Sequence, residues 1–156
     1  MTAKPMTTGP MTARPQARPP AEAPSFEDMP VADAMHPGIL TCPAGASLET
    51  VAEMMSAYGI HSVVVFDESS GGEALWGVVS DLDLVGIAAE GSLASRTAGQ
   101  TAATPALTIA SGETLRRAAQ LMREYGTAHL VVVDPDDGTP LGVLSTLDLA
   151  RELARP

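Results

Sequence analysis

The sequence GVVSDLDL at residues 77–84 recurs as GVLSTLDL at residues 142–149. In both copies a short apolar run ends at a serine, and an aspartate follows three positions later. A Ser-x-x-Asp step before apolar residues is typical of a helix N-terminus, because both side chains can satisfy main-chain groups there. Each copy therefore predicts a strand that ends where a helix begins.

The similarity between the two halves extends upstream of this motif. Positions match at an offset of 67 residues, which becomes 65 after a two-residue shortening of one turn. The matched pairs include Leu40 with Leu107 and Met55 with Met122. A register kept over so long a stretch indicates an internal duplication. We assign residues 25–92 to a first repeat and residues 93–156 to a second.

Each repeat is predicted to contain a short strand, a helix, two strands and a final helix. The first helix should follow Ser47 or Thr114 as its N-cap and end at Gly59 or Gly126. Its apolar spacing of i, i+3, i+4, i+7 predicts one buried face. That face contains Leu48, Val51, Ala52 and Met55 in the first repeat, and Leu115, Ala118, Ala119 and Met122 in the second.

The two later strands of each repeat are predicted at residues 62–67 and 75–80, and at residues 130–134 and 141–145. Their apolar runs predict cover on both faces. The final helices are expected to bury Leu82, Val85 and Ala89, and Leu147, Leu149 and Leu153. The predicted fold class is α/β (α+β), with two tandem βαββα repeats packed as a pseudo-two-fold pair.

The net charge restricts the partners. Nineteen acidic and nine basic residues give a formal charge of −10, which disfavours nucleic acids and anionic membranes. The lone Cys42 allows no internal disulfide, and no apolar run reaches the roughly 20 residues of a membrane helix. These features predict a cytoplasmic protein. Residues 1–24 are rich in proline and predict a disordered tail, with a docking segment as the alternative.

The recurring motif has two interpretations. Ser80 with Asp83, and Ser145 with Asp148, could be helix caps and nothing more. A strand-to-helix junction also places a hydroxyl, free amides and a carboxylate together, and such a carboxylate can accept both hydroxyls of a ribose. The two roles can coexist.

The βαββα repeat and its terminal motif resemble the CBS-domain family over about residues 31–153, and the pair resembles a Bateman module. The resemblance implies a regulatory module without enzymatic activity or a required cofactor. Its ligand would be an adenosine-type molecule, such as AMP, ADP, ATP or S-adenosylmethionine, bound between the repeats. The resemblance also implies a homodimer that modulates an effector protein of unknown identity.

The resemblance assigns site residues by motif position. The ribose would contact Ser80 and Asp83 in one copy, and Ser145 and Asp148 in the other. The base would lie against strand edges formed by Thr41, Ile60, His61, Ser62, Val63, Thr108, Thr127, Ala128, His129 and Leu130. A ribose contact from one repeat should face the first strand of the other, which pairs Asp148 with Thr41 and Asp83 with Thr108.

Some positions depart from the family pattern. Val64 and Val131 occupy places where proline is common, and Ala128 stands where a basic residue is common. The second copy is therefore a weak source of phosphate contacts, and His61 is the better candidate. A partly buried imidazole is the alternative for His61. His36, beside Pro37, is expected to carry no function.

Two other functions are alternatives to ligand sensing. A ligand-free dimerisation scaffold would need the motifs only as helix caps. A small hydrolase or redox enzyme could use Cys42, His61 or the aspartates, but no spacing assembles a nucleophile, a base and an orienting group. Cys42 is instead predicted to be a small buried thiol.

Overall fold

The computed structural model describes residues 24–69 and 74–155. The predicted tail lies outside the described residues except for Pro24, and so do residues 70–73 in the first inter-strand connection. The elements before residue 90 are β1 (His36–Pro37), β2 (Thr41–Pro43), α1 (Leu48–Tyr58), β3 (Ser62–Asp67), β4 (Ala74–Ser80) and α2 (Asp81–Ala89). The later elements are α3 (Ala98–Thr101), β5 (Thr108–Ala110), α4 (Leu115–Tyr125), β6 (His129–Val133), β7 (Pro140–Ser145) and α5 (Thr146–Leu153).

The order strand, helix, strand, strand, helix is confirmed in both repeats. The predicted ends of the first helices are also confirmed. Ser47 accepts a hydrogen bond from the Thr50 amide, and Thr114 accepts one from the Arg117 amide, at 3.1 and 3.2 Å. Gly59 ends α1 in the left-handed conformation at a φ of 63°, which a residue without Cβ adopts at no steric cost.

The central strands are covered on both faces, as their apolar runs predict. β3 lies between β2 and β4, parallel to the first and antiparallel to the second, and β6 lies in the same way between β5 and β7. Val63 and Val65 face the helix-covered core of the first repeat, whereas Val64 packs with Val131 between the repeats. Alternate residues of one strand therefore serve two different interfaces.

The valines that replace the family's prolines keep main-chain donors. The amide of Val64 donates to the Leu40 carbonyl at 3.0 Å, and the amide of Val131 donates to the Leu107 carbonyl at 2.9 Å. Proline has no N–H and would lose this bond. Valine at these positions therefore ties the first strand of each repeat to its central strand.

The core of each repeat is completed by the leading segment of the other, residues 31–37 in the first repeat and residues 98–104 in the second. Val31 is fully buried in the core of the second repeat, and β1 pairs antiparallel with β7. Ala98, at the same position in the second copy, is fully buried in the core of the first repeat, and Ala103 bridges to Val78. The division of the chain between residues 92 and 93 stays a prediction. Each leading segment lies on one side of that division in the sequence and packs in the core on the other side.

The predicted buried face of the final helices is largely wrong. Leu82 is 76% exposed and Val85 65% exposed, whereas Leu84 is buried. Ala89, Leu147 and Leu153 are exposed as well, and Leu149 alone is confirmed as buried. Nearly every residue of α2 is apolar, so its sequence fits several faces, and packing against α1 selects the one with Leu84 and Ile87.

The motif glycines allow the leading segments to approach closely. A Cβ at Gly142 would collide with the carbonyl oxygen of His36, and one at Gly77 would lie 2.5 Å from that of Ala103. We expect Gly142→Ala to lower the free energy of unfolding by about 1–3 kcal/mol, since the backbone must shift. Gly86→Ala, in open space on α2, should raise it by about 0.5–1 kcal/mol. Urea unfolding of both variants measures the two free energies of unfolding. Equal stabilities of the two variants would contradict the expectation.

Candidate functional site

A cavity of about 630 Å³ lies between the two repeats. One wall comes from the leading segment and from the end of α1 with the start of β3, and the other comes from β6, β7 and α5. The lining residues are His36, Pro37, Gly38, Ile39, Leu40, Tyr58, Gly59, Ile60, His61, Ser62, His129, Val143, Ser145, Leu147, Asp148 and Arg151. The cavity therefore combines an apolar wall with three imidazoles, a guanidinium and a carboxylate.

Asp148 is the carboxylate of this cavity, and its residue is only 3% exposed. Its Oδ2 accepts from the amide and the hydroxyl of Ser145, at 2.8 and 2.6 Å. Its Oδ1 accepts from the Arg151 guanidinium at 3.1 Å and lies 2.9 Å from Nε2 of His36. An imidazole nitrogen so close to a carboxylate oxygen must carry a proton, since two lone pairs would repel.

The Ser-x-x-Asp steps are capping boxes in both repeats, which confirms the structural interpretation of the motif. Asp83 accepts from the amide and the hydroxyl of Ser80 at 2.8 and 2.6 Å, as Asp148 does from Ser145. The serine hydroxyl in turn accepts from the aspartate amide. Only one oxygen of each carboxylate takes part in the cap, so a ligand role remains compatible with capping.

His61 is held by an aspartate of its own repeat. Its Nδ1 lies 2.8 Å from Oδ2 of Asp81, in a hydrogen bond that is also an ion pair when the ring is protonated. This bond lowers the pKa of Asp81, against the opposing effect of desolvation. Both side chains are more than half exposed. The bond to Asp81 thus orients the His61 ring, which lines the cavity.

His129 is the most enclosed of the cavity imidazoles, and burial lowers its pKa from the ordinary value of 6.5. The carboxylates of Asp81 and Asp83 oppose this shift by favouring the charged ring. The folded chain therefore holds His129 neutral near pH 7, whereas the unfolded chain takes up a proton near pH 6.5. Its stabilising contribution is present above that pH and is lost as the pH falls below it.

We expect the His129→Gln variant to lose less stability than the wild-type chain between pH 7.5 and pH 5.5, because it has no ring to protonate. Urea unfolding at the two pH values measures the difference, and NMR titration of the ring gives the pKa directly. A ring pKa at or above 6.5 would contradict this expectation.

Six of the fourteen predicted site residues line the cavity between the repeats. The residues that line the cavity are Ile60, His61, Ser62, His129, Ser145 and Asp148. Thr41, Val63, Ser80, Asp83, Thr108, Thr127, Ala128 and Leu130 are not among its lining residues. Leu40, the neighbour of Thr41, does line it, so residues before and after α1 face the Asp148 motif of the other repeat.

Two of the predicted contact residues have side chains that a ligand in this cavity does not reach. Val63 is fully buried in the core of the first repeat, and Leu130 is fully buried in that of the second. Strand alternation explains this placement, because Val63 and Leu130 each point to the sheet face that carries the helices. Their neighbours Ser62 and His129 face the cavity instead.

The cavity also contains His36 and Arg151, which the sequence did not indicate as site residues. The ring of His36 contacts the motif aspartate of the second repeat, and a function of that contact stays a proposal. Arg151 follows Asp148 by three positions on α5, a spacing that places helical side chains together and could have revealed the pair. His36 had no comparable local signal.

The remaining candidate chemistry is weak. Cys42 is 5% exposed, which confirms the buried thiol, and burial raises its pKa. A higher pKa leaves less of the reactive thiolate. Within residues 24–69 and 74–155, no group of three His, Cys, Asp or Glu side chains could hold a metal ion. In the same part of the chain, no helix has the length and apolarity needed to cross a membrane.

Comparison with known proteins identifies relatives of both repeats. The family model described as "CBS domain" matches residues 31–90 and again residues 99–155. None of the curated proteins compared is a match for this sequence.

Three solved structures share the fold. The CBS domain pair of protein MJ0100, in complex with methylthioadenosine and S-adenosyl-L-methionine, has 20% identity and a TM-score of 0.69 over 80% of this chain and 95% of that one. A CBS domain protein of Pyrobaculum aerophilum complexed with AMP has 23% identity and a TM-score of 0.68 over 77% and 89%. The CBS domain of a bacterial CNNM/CorC family Mg²⁺ transporter in complex with ATP has 22% identity and a TM-score of 0.66 over 82% and 89%.

Proposed function

The chain belongs to the CBS-domain family, and from this premise we propose that it is a regulatory module that binds an adenosine-type ligand between its two repeats. The observation that carries the proposal is the inter-repeat cavity, which sets the motif aspartate of one repeat opposite residues 60–62 of the other. Structures of the same fold are complexes with AMP, with ATP, and with methylthioadenosine and S-adenosyl-L-methionine. A cavity of this size falls in the range of small-molecule sites.

Charge supports a ligand with a phosphate. The chain carries a formal charge of −10, yet His36, His61, His129 and Arg151 all line the same cavity. Imidazole and guanidinium N–H groups can donate to phosphate oxygens, and Arg151 adds a positive charge at the cavity. AMP or ATP is therefore our first candidate, and S-adenosylmethionine, whose sulfonium is cationic, is second.

The ligand would act by shifting an equilibrium between two arrangements of the repeats. A ligand can do so only by as much as its affinities for the two arrangements differ. The apolar cluster that contains Val64, Val78 and Val131 joins the repeats and would be the surface that repacks. In this proposal the chain is cytoplasmic, catalyses no reaction, needs no cofactor, and acts on an effector protein of unknown identity rather than on nucleic acid or membrane.

A homodimer is part of the proposal. Leu82 and Val85 on α2, with Leu147 and Leu153 on α5, are exposed apolar side chains on equivalent helices of the two repeats. A second copy of the chain could cover them with the same helices, as a two-fold interface requires. Sedimentation velocity gives the mass, and a monomer at micromolar concentration would contradict this part.

Ligand binding is tested by thermal unfolding with AMP, ATP, S-adenosylmethionine and methylthioadenosine, with ribose 5-phosphate as the control without a base. At a free concentration of 100 times its Kd, a bound ligand should stabilise the chain by about 2.7 kcal/mol. We expect at least one adenosine compound, and not the control, to raise the melting temperature. No response to any of them would leave the ligand-free scaffold, whose only use for the motif is the capping boxes, as the better account.

A further inference from the structure

The two motif aspartates have different surroundings. Oδ1 of Asp148 is contacted by both Arg151 and His36, whereas within the described residues the side chain of Asp83 hydrogen-bonds only with Ser80. With its cap bonds, Asp148 has four partners, which is about the full acceptor capacity of a carboxylate. No acceptor position is left on Asp148 for the hydroxyls of a ribose.

The surroundings of Asp148 and Asp83 differ because the two repeats have different residues at two equivalent positions. His36 is paired with Val143 on β7, and its equivalent, Ala103, is bridged in the same way to Val78 on β4. Arg151 is equivalent to Gly86 at the offset of 65. Neither Ala103 nor Gly86 has a side chain that can reach a carboxylate, so Asp83 keeps one oxygen free of such contacts.

His36 and Arg151 reach Asp148 from different elements, since His36 lies on β1 and Arg151 lies on the same helix as Asp148. The His36 side chain is 68% exposed, so water can solvate the ring when it leaves Asp148. The Asp148 carboxylate would then keep Arg151 as its counter-charge and regain one acceptor position.

We propose that His36 is an internal competitor for the ribose hydroxyls at Asp148. A ribose ligand must displace the ring before Asp148 can accept a hydroxyl, so the His36 contact weakens the binding of such a ligand in the Asp148 cavity. This inference rests on the proposed function, because it concerns the regulation of the same ligand site.

Calorimetry with AMP tests the inference in an Asp83→Ala background, which isolates the Asp148 site. We expect the added His36→Ala substitution to tighten AMP binding about tenfold, or about 1.4 kcal/mol. The gain should vanish with 2′,3′-dideoxy-AMP, which lacks the competing hydroxyls. A general loosening of the cavity would instead change the affinity of both nucleotides.

The reciprocal variant places the competitor in the other repeat. Ala103→His in an Asp148→Ala background should weaken AMP binding at the Asp83 site by several fold, because Ala103 has the register of His36 and is exposed. Unchanged affinity in the His36→Ala chain would overturn the inference and leave the proposed function standing. If AMP and S-adenosylmethionine bind neither the wild-type chain nor any variant, the proposed function and the inference both fail.

Discussion

The Val31→Asp variant is expected to lose about 3–5 kcal/mol of folding free energy, because the new carboxylate would be buried without a partner. Val31 is fully buried among Ile109, Leu115 and Leu130 of the second repeat. Such a loss is a large part of the roughly 5–15 kcal/mol that stabilises a typical domain. Urea unfolding measures the loss.

Hydrogen exchange shows which helices lose stability in the Val31→Asp variant. Val31 lies in the first repeat, before α1, but packs in the core of the second, so the amides of α4 should lose protection before those of α1. The matched control is Ala32→Asp, since Ala32 is exposed beside it and the change should stay within about 0.5 kcal/mol. Loss of protection first in α1 would show that the leading segment does not complete the second core.

The Asp83→Ala variant is expected to lose about 100-fold in affinity for AMP at its site. Hydrogen bonds from ribose hydroxyls to a charged carboxylate contribute about 1.5–3 kcal/mol each, and 1.4 kcal/mol is a factor of ten. Stability should fall by only about 1 kcal/mol, the usual loss of a helix cap, because Ser80 keeps its own hydroxyl. Calorimetry and urea unfolding separate the two effects.

Asp67→Ala is the matched control for this experiment. Asp67 is a partly exposed aspartate at the far end of β3, and its side chain bonds only to Ser69 within the described residues. AMP should bind that variant as it binds the wild-type chain. If Asp83→Ala also binds AMP unchanged, the motif aspartate is a helix cap and not a ribose ligand.

The features that the sequence predicted are those with local or repeated signals. The caps at Ser47 and Thr114 and the left-handed glycines 59 and 126 depend on neighbouring residues, and all four are confirmed. The duplication made the order of strands and helices predictable, because a pattern that is ambiguous once becomes informative when it recurs in register. The central strands were recognisable from their apolar runs alone.

The exchange of leading segments could not be predicted in this way. β1 is a two-residue strand that pairs with residues 142 and 143, more than 100 positions later. Nothing near His36 or Pro37 specifies that partner, and so the contact of His36 with Asp148 was not foreseen. The exposed face of α2 was missed for a related reason, because a helix with so many apolar residues does not specify which side packs inward.

A crystal structure of the chain with AMP tests the central claim most directly. We expect the nucleotide in a cleft between the repeats, with its ribose hydroxyls within hydrogen-bond distance of Oδ1 of Asp83, and of Asp148 where His36 has turned away. AMP bound elsewhere, or clefts empty at millimolar AMP while both aspartates contact only their own chain, would contradict it.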